Sequence, residues 1–213
     1  MKTGKIEIVA LLDRSGSMSA LRESTISAFG EFIAEQAKLP GECDVTLVQF
    51  DSDAVDTVYE ARAAKDVPVL VLEPRGCTPL LDAMGATIES VGKRLAALPE
   101  EARPEHVLFL VMTDGYENAS RVYKKDQIKA MVEEQTNKWK WTFTFLGAGI
   151  DAFVGAGSVG IPLANSMGVQ ANAAGVHHAY GTASSSVRNL RSGQGYNAAG
   201  MGTQPPQNTG GNP

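Results

Sequence analysis

Two segments of the chain are almost continuously apolar over the length of a β-strand. Residues 6–12 read Ile-Glu-Ile-Val-Ala-Leu-Leu, and residues 107–112 read Val-Leu-Phe-Leu-Val-Met. Apolar runs of this length are typical of strands that helices cover on both faces. Asp13 follows the first run directly, and Asp114 follows the second after one threonine. The pattern therefore predicts two buried strands whose ends carry a carboxylate.

Helical and strand patterns alternate along the rest of the chain. Apolar positions at helical spacing predict helices over 21–37, 81–98 and 125–138, with shorter ones over 152–159 and 184–190. Further strands are predicted over 44–50, 55–61 and 141–146, with a short last strand over 167–171. Alternating strands and helices imply a mostly parallel sheet with right-handed crossovers. The short link between 44–50 and 55–61 predicts a hairpin, and hence one antiparallel edge strand.

The fold class that follows is α/β, doubly wound and Rossmann-like, with helices on both faces of the sheet. Residues 1–192 are predicted to form one domain. Residues 193–213 are rich in Gly, Asn, Gln and Pro with few apolar positions. Such a segment buries too little surface to offset the entropy of ordering, so we expect a disordered tail.

Composition narrows the functional classes. The net charge of −5 and the pI near 5.3 argue against a nucleic-acid binder. All 24 acidic residues lie at or before Asp151, so the acidic part of the chain is where a cation would bind favourably. No stretch approaches the roughly 18 apolar residues of a membrane span. The only two cysteines, Cys43 and Cys77, suit a reducing compartment, and we expect a cytoplasmic protein.

The loop after the first buried strand offers a set of oxygen ligands. Residues 13–17 read Asp-Arg-Ser-Gly-Ser, and alternate residues of a tight loop can turn their side chains toward one point. Hard cations choose oxygen ligands, whereas zinc favours imidazole or thiolate. The residue types therefore favour Mg²⁺ or Mn²⁺.

The spacing Asp13-x-Ser15-x-Ser17 at a strand end resembles the metal-ion-dependent adhesion site of the von Willebrand factor type A family. Thr78, in a Gly-Cys-Thr-Pro sequence before the second regular helix, resembles the family's threonine loop. Asp114, in Met-Thr-Asp-Gly, resembles its distal aspartate. The resemblance covers roughly residues 5–150, and residues up to about 190 are expected to complete the fold.

The resemblance implies a role for each of the five residues. Ser15, Ser17 and Thr78 would hold the cation, which is Mg²⁺ or alternatively Mn²⁺ or Ca²⁺, while Asp13 and Asp114 would act through waters and hydrogen bonds. Three neutral hydroxyls leave a dication under-neutralised, so an acidic side chain of a protein partner could take an open position. The sequence around residues 113–118 and 145–148 resembles compact intracellular bacterial or phage members of the family.

Two other functions stay open at this point. The same cation could serve an enzyme acting on phosphoryl or acyl groups, with Glu117 or Asp51 as base. A metal-free structural protein, for example a virion component, would suit the Gln- and Asn-rich tail. We expect no enzyme, because no nucleophile and base constellation occurs and Glu117 is expected to be an exposed loop charge. Arg14 is likewise expected to be a solvated loop charge.

Overall fold

The strands pair into one sheet in the computed structural model, which describes residues 1–196 apart from the side chains of residues 152 and 153. They are β1 (Lys2–Asp13), β2 (Glu42–Phe50), β3 (Val55–Ala63), β4 (Pro104–Thr113), β5 (Thr142–Ala148) and β6 (Ser166–Val169). The order across the sheet is β3-β2-β1-β4-β5-β6. All neighbours are parallel except β2 and β3, which pair antiparallel at one edge. The predicted mixed sheet with one antiparallel edge strand is confirmed.

Helices cover both faces of this sheet. They are α1 (Arg22–Lys38), α2 (Leu80–Ala97), α3 (Lys125–Trp139), α4 (Ala152–Ser158) and α5 (Ala173–Arg191). One core cluster joins α1 and α5 to one face, and a second joins α2, α3 and α4 to the other. The doubly wound α/β class is confirmed.

Strand β1 lies at the centre of the sheet and contributes to both cores. Ile8 and Leu12 belong to the cluster under α1 and α5, whereas Val9 and Leu11 belong to the cluster under α2 and α3. Successive side chains of a strand point to opposite faces, so a strand buried on both faces is apolar at nearly every position. This is the physical reason for the sequence pattern in residues 6–12.

The last helix is longer than its sequence pattern predicts. The prediction placed it over residues 184–190, but α5 begins at Ala173, and the side chain of Asn172 caps it by accepting a hydrogen bond from the backbone N–H of Gly175 at 2.8 Å. Its first half contains Gly175 and Gly181 and few large apolar residues, which hid the helical spacing. The buried face is built partly of small residues such as Ala179 and Ala183.

The order of the strands creates a switch point between β1 and β4, where the direction of winding reverses. From β1 the chain winds outward through β2 and β3, and it then returns to β4 on the other side of β1. Open sheets of this kind bind ligands in the crevice at the carboxyl ends of the strands where the winding reverses. Asp13 and Asp114 lie at the ends of β1 and β4, on either side of that crevice.

Two sequence-based predictions concern the remaining regions. None of the helices in residues 1–196 is long and apolar enough to cross a membrane. The predicted tail begins at residue 193, and from residue 197 onward it lies outside the described part of the chain.

Candidate metal centre

The loop after β1 holds Asp13 and Ser15 in a fixed relation. Asp13 is fully buried, and its Oδ1 accepts a hydrogen bond from the backbone N–H of Ser15 at 2.6 Å. Its Oδ2 accepts a hydrogen bond from the hydroxyl of Thr113 in β4 at 2.6 Å. Both carboxylate oxygens therefore have a donor, one from its own loop and one from the neighbouring strand.

Ser17 connects this loop to the end of β4. The hydroxyl oxygens of Ser15 and Ser17 lie 3.1 Å apart, and Ser17 donates a hydrogen bond to Asp114 Oδ1 at 2.6 Å. The parallel register of β1 and β4, in which Leu12 pairs with Met112, brings the two loops to the same level. Four of the five predicted residues thus form one hydrogen-bonded chain.

Thr78 approaches the same point from a third loop. It is buried, its backbone N–H donates to Asn118 Oδ1 at 2.9 Å, and its carbonyl accepts from the N–H of Asn118 at 3.1 Å. A Cβ placed on Gly115 would lie only 2.9 Å from Thr78 Oγ1, so this hydroxyl sits against the residue that follows Asp114. The structure brings all five predicted residues to one end of the sheet.

The two carboxylates carry charge that the surrounding protein does not neutralise. Burial raises the pKa of Asp13 to about 6, although hydrogen bonds from Thr113 and Ser15 oppose the rise and nearby Asp114 adds to it. Burial also raises the pKa of Asp114, against the hydrogen bond from Ser17. Within residues 1–196 no Lys, Arg or His forms an ion pair with either carboxylate. A buried anion without a cationic partner is costly, and a bound cation would lower that cost.

The donor set fits a hard cation. Three hydroxyls and two carboxylates present only oxygen, which is what Mg²⁺, Mn²⁺ and Ca²⁺ choose. No group of three or more His, Cys, Asp or Glu side chains suited to a metal occurs in the described residues. Any cation at the end of β1 and β4 would therefore depend on the serine and threonine hydroxyls.

Arg14 has a different role from the one predicted. It is not a solvated loop charge: only 8% of it is exposed, its Nε donates to Asp51 Oδ2 at 2.6 Å, and its guanidinium also donates to Asp56 Oδ2 at 2.6 Å. Arg75 donates to the same oxygen of Asp51 at 2.9 Å. Because the partners come from the loop and strand after β2, a local sequence pattern gives no sign of them.

Asp51 is the centre of this second network. Its burial alone would raise the pKa of the carboxyl, but backbone hydrogen bonds from Asp53 and Ala54 and the two arginines outweigh that effect and lower it. Arg14 and Arg75 also lie on loops that bond to each other through the backbone, with Arg75 N–H donating to Arg14 O at 2.8 Å. Asp51 therefore ties the loop of Ser15 to the loop that leads to Thr78.

Glu117 is also bound into the structure rather than exposed as predicted. It is partly buried, and its Oε1 accepts from the backbone N–H groups of Ala119 and Ser120 at 2.9 and 2.7 Å. Its Oε2 accepts from the N–H of Leu81 at 2.9 Å and from the Ser120 hydroxyl at 2.7 Å. Helix α2 begins at Leu80, so Glu117 satisfies an N–H group of its first turn, which has no partner within the helix.

A cleft of about 810 Å³ adjoins the candidate centre. Its walls come from the loop after β2, from Cys77 and Pro79 beside Thr78, and from residues 118–123. An extended segment of a partner that reached the centre would have this cleft next to it.

The sequence did not predict the contacts that Thr113, Asn118 and Asp51 make around the centre, and Asp51 was considered only as a possible base. Thr113 and Asn118 lie within the stretch compared with the family, but their contacts depend on the pairing of β1 with β4 and on the approach of the Thr78 loop. Asp51 comes directly after the buried apolar end of β2, as Asp13 comes directly after the apolar run of β1, and this repeated position was the available signal.

These features define a doubly wound α/β domain with an oxygen-lined centre at its switch point. No protein-family model and no curated protein sequence matches the chain. Several solved structures do match it. One is proximal thread matrix protein 1 from the mussel byssus, with a zinc-occupied metal-ion-dependent adhesion site (MIDAS) motif. Its TM-score is 0.64 at 14% identity, and the match covers 84% of this chain and 47% of that one.

Two further solved structures match the chain with slightly lower TM-scores. The vWF domain of the type V pili tip protein Mfa5 from Porphyromonas gingivalis has a TM-score of 0.62 at 11% identity, over 96% of this chain and 99% of that one. The von Willebrand factor type A structure from Catenulispora acidiphila has a TM-score of 0.59 at 15% identity, over 88% and 43%. The chain thus has the fold of von Willebrand factor type A domains, and it spans less than half of the mussel and Catenulispora chains.

Proposed function

We propose that this chain is a divalent-cation-dependent protein-binding module. The observation that carries the proposal is the convergence, at the switch point of the sheet, of three hydroxyls and two carboxylates that have no ion-pair partner in the described residues. Support also comes from a protein of the same fold, the mussel matrix protein, whose MIDAS motif holds zinc. We propose Mg²⁺ as the cation here, with Mn²⁺ or Ca²⁺ as alternatives, because the donors are all oxygen.

Each residue of the centre has a distinct part in this proposal. Ser15, Ser17 and Thr78 would contribute hydroxyl ligands, while Asp13 and Asp114 would accept hydrogen bonds from the serines and from cation-bound water. When bound, the cation supplies a positive charge that three neutral hydroxyls do not cancel. An acidic side chain of a partner would therefore gain a charge-assisted bond at an open position.

We propose that the module is not an enzyme. Of the two bases considered, Glu117 accepts four hydrogen bonds from its own loop and α2, which leaves it committed to structure. Asp51 is held by Arg14 and Arg75, and its lowered pKa makes it a weak proton acceptor. An activity on phosphoryl or acyl groups that depends on either carboxylate would contradict this part of the proposal.

The cellular setting is a separate part of the proposal. Cys43 and Cys77 are both free, which suits a reducing compartment, so we propose a cytoplasmic location. Origin in the compact bacterial or phage subgroup stays a prediction from the sequence. Fractionation of native cells that found the protein only outside the cytoplasm would contradict the location.

A displayed library of random peptides tests the binding function. Selection on the purified protein in millimolar Mg²⁺ should enrich peptides that share an Asp or Glu. Replacing that residue by its amide, adding a chelator, or using the Ser15→Ala variant should each abolish binding. Ser19→Ala is a matched control, because Ser19 lies in the same loop region and its hydroxyl donates only to Gly16 O at 2.7 Å. Binding that persists in chelator would contradict the proposal.

A further inference from the structure

An apolar cavity lies at the opposite end of the sheet from the candidate metal centre. It sits beside the amino ends of β1 and β4, between α2 and α3, and has a volume of about 150 Å³. Leu95, Val107 and Trp141 contribute buried apolar surface to its walls. The cavity is open to solvent beside the exposed Trp139, and its walls also include Arg103, Glu105 and Gln135. An enclosed apolar cavity of roughly this volume in another protein binds benzene. The space therefore suits a single aromatic ring.

Gly92 keeps one wall of the cavity open. It lies in the interior of α2, where glycine is destabilising relative to alanine. A Cβ at this position would meet no atom within 4 Å, so close packing does not require the glycine. The missing side chain instead leaves space beside Leu95, two residues short of the end of α2.

Both tryptophans of the chain line the same cavity. Trp139 ends α3 and stays 43% exposed, whereas Trp141 precedes β5 and is 5% exposed. Lys140 between them adopts the left-handed conformation, with φ 59°, which is unfavourable for a residue with a Cβ. Lys138 Nζ lies 5.1 Å from the Trp139 ring centroid. The turn at Lys140 thus places two indole rings at one small cavity.

Two side chains of opposite charge, Arg103 and Glu105, lie at the cavity. Arg103 donates to the carbonyls of Leu98 and Ala96 at 3.0 and 2.9 Å. Glu105 accepts from the N–H of Gly4 at 2.6 Å. These contacts are to neutral backbone groups, so one positive and one negative charge remain at the cavity. Because the two charges are of opposite sign, neither sign of ligand charge is favoured, and a neutral ligand avoids the desolvation cost of a charge.

We propose that this cavity is a binding site for a small, uncharged aromatic molecule about the size of benzene. The volume accommodates one ring, the two indoles favour a ring that can stack or contact them edge to face, and the opposite charges of Arg103 and Glu105 favour neither a cation nor an anion. The site is separate from the cation centre, and its occupation requires no metal.

Toluene is a direct probe, because the two tryptophans report on the site. In fluorine NMR of protein labelled with fluorotryptophan, toluene should shift both signals in a saturable manner, with or without chelator. Toluene should also raise the melting temperature, since it binds the folded state only. No change in either signal up to the solubility limit of toluene would overturn the proposal.

A filled cavity gives the matched comparison. Gly92→Leu should abolish the toluene-induced shifts and raise the melting temperature, and Gly92→Met offers the same test with a more flexible side chain. Gly30→Leu in α1 is the control, because a Cβ there also meets no atom within 4 Å but lies on another helix, away from the cavity. Equal shifts in the Gly92 variants and the wild type would overturn the assignment of the site.

Discussion

Asp13 is the residue at which stability of the fold and binding of a cation oppose each other. It is fully buried at the end of the central strand, and its pKa is raised to about 6 chiefly by burial. A carboxyl whose pKa is higher in the folded state than in the unfolded state destabilises the fold at any pH where it is ionised in both. At pH 7 the metal-free protein therefore carries an energetic cost at this position.

Asp13→Asn should make the metal-free protein more stable. The rise of the pKa from 3.8 to about 6 corresponds to about 3 kcal/mol at most, at 1.36 kcal/mol per unit. The amide keeps an acceptor for Ser15 N–H and can donate to Thr113. Urea unfolding in chelator at pH 7 measures the gain, and added Mg²⁺ should stabilise the wild type but not the variant.

The exposed Asp66 provides the control, since Asp66→Asn removes the same charge at a distance from the centre. It should change neither the free energy of unfolding in chelator nor the gain in stability on addition of Mg²⁺. A destabilised Asp13→Asn variant that still gains stability from Mg²⁺ would contradict the role assigned to Asp13.

Among the elements, the segment between β4 and α3 is held to its surroundings by many side-chain hydrogen bonds. Glu117 receives four hydrogen bonds, and the Asp82 carboxylate accepts from the N–H groups of Arg121, Val122 and Tyr123 at 2.7 to 2.9 Å. These contacts hold the segment against the start of α2, and through Asn118 they hold Thr78. The position of one candidate ligand thus depends on a loop distant in sequence.

Glu117→Gln should weaken the attachment of the segment between β4 and α3 to the start of α2. One of the two carboxylate oxygens becomes an amide NH₂ that faces N–H or O–H donors, and an unsatisfied pair of this kind costs about 1–3 kcal/mol. The free energy of unfolding measures the loss. Glu101→Gln, at an exposed position, should change nothing. Equal stability of the Glu117 and Glu101 variants would show that the four hydrogen bonds contribute nothing.

Elements differ in how far the sequence predicts them, for a physical reason. Strands β1 and β4 are buried on both faces, and α2 has a regular apolar face, so local patterns predict all three. Helix α5 packs through Ala and Ser positions as well as large residues, and its small residues give no periodic signal over residues 173–183. The partners of Arg14 are 37 and 42 residues away, which places them beyond any local pattern.

At the scale of the whole molecule, the two ends of the sheet differ in chemistry. The carboxyl ends of β1 and β4 carry the oxygen-lined centre, and the amino ends border the apolar cavity with both tryptophans. The five residues of the centre were predicted from sequence, because three short motifs fall at strand ends and helix starts. Their convergence follows from the winding order of the sheet rather than from any one motif.

The central claim is that these five residues bind one divalent cation. Isothermal titration of the metal-free protein with Mn²⁺, followed by competition with Mg²⁺, tests it directly. We predict one site per chain in the wild type and its loss in Ser15→Ala, with Ser19→Ala indistinguishable from the wild type and circular dichroism unchanged in both variants. No binding at millimolar concentrations, or binding that Ser15→Ala leaves intact, would contradict the account.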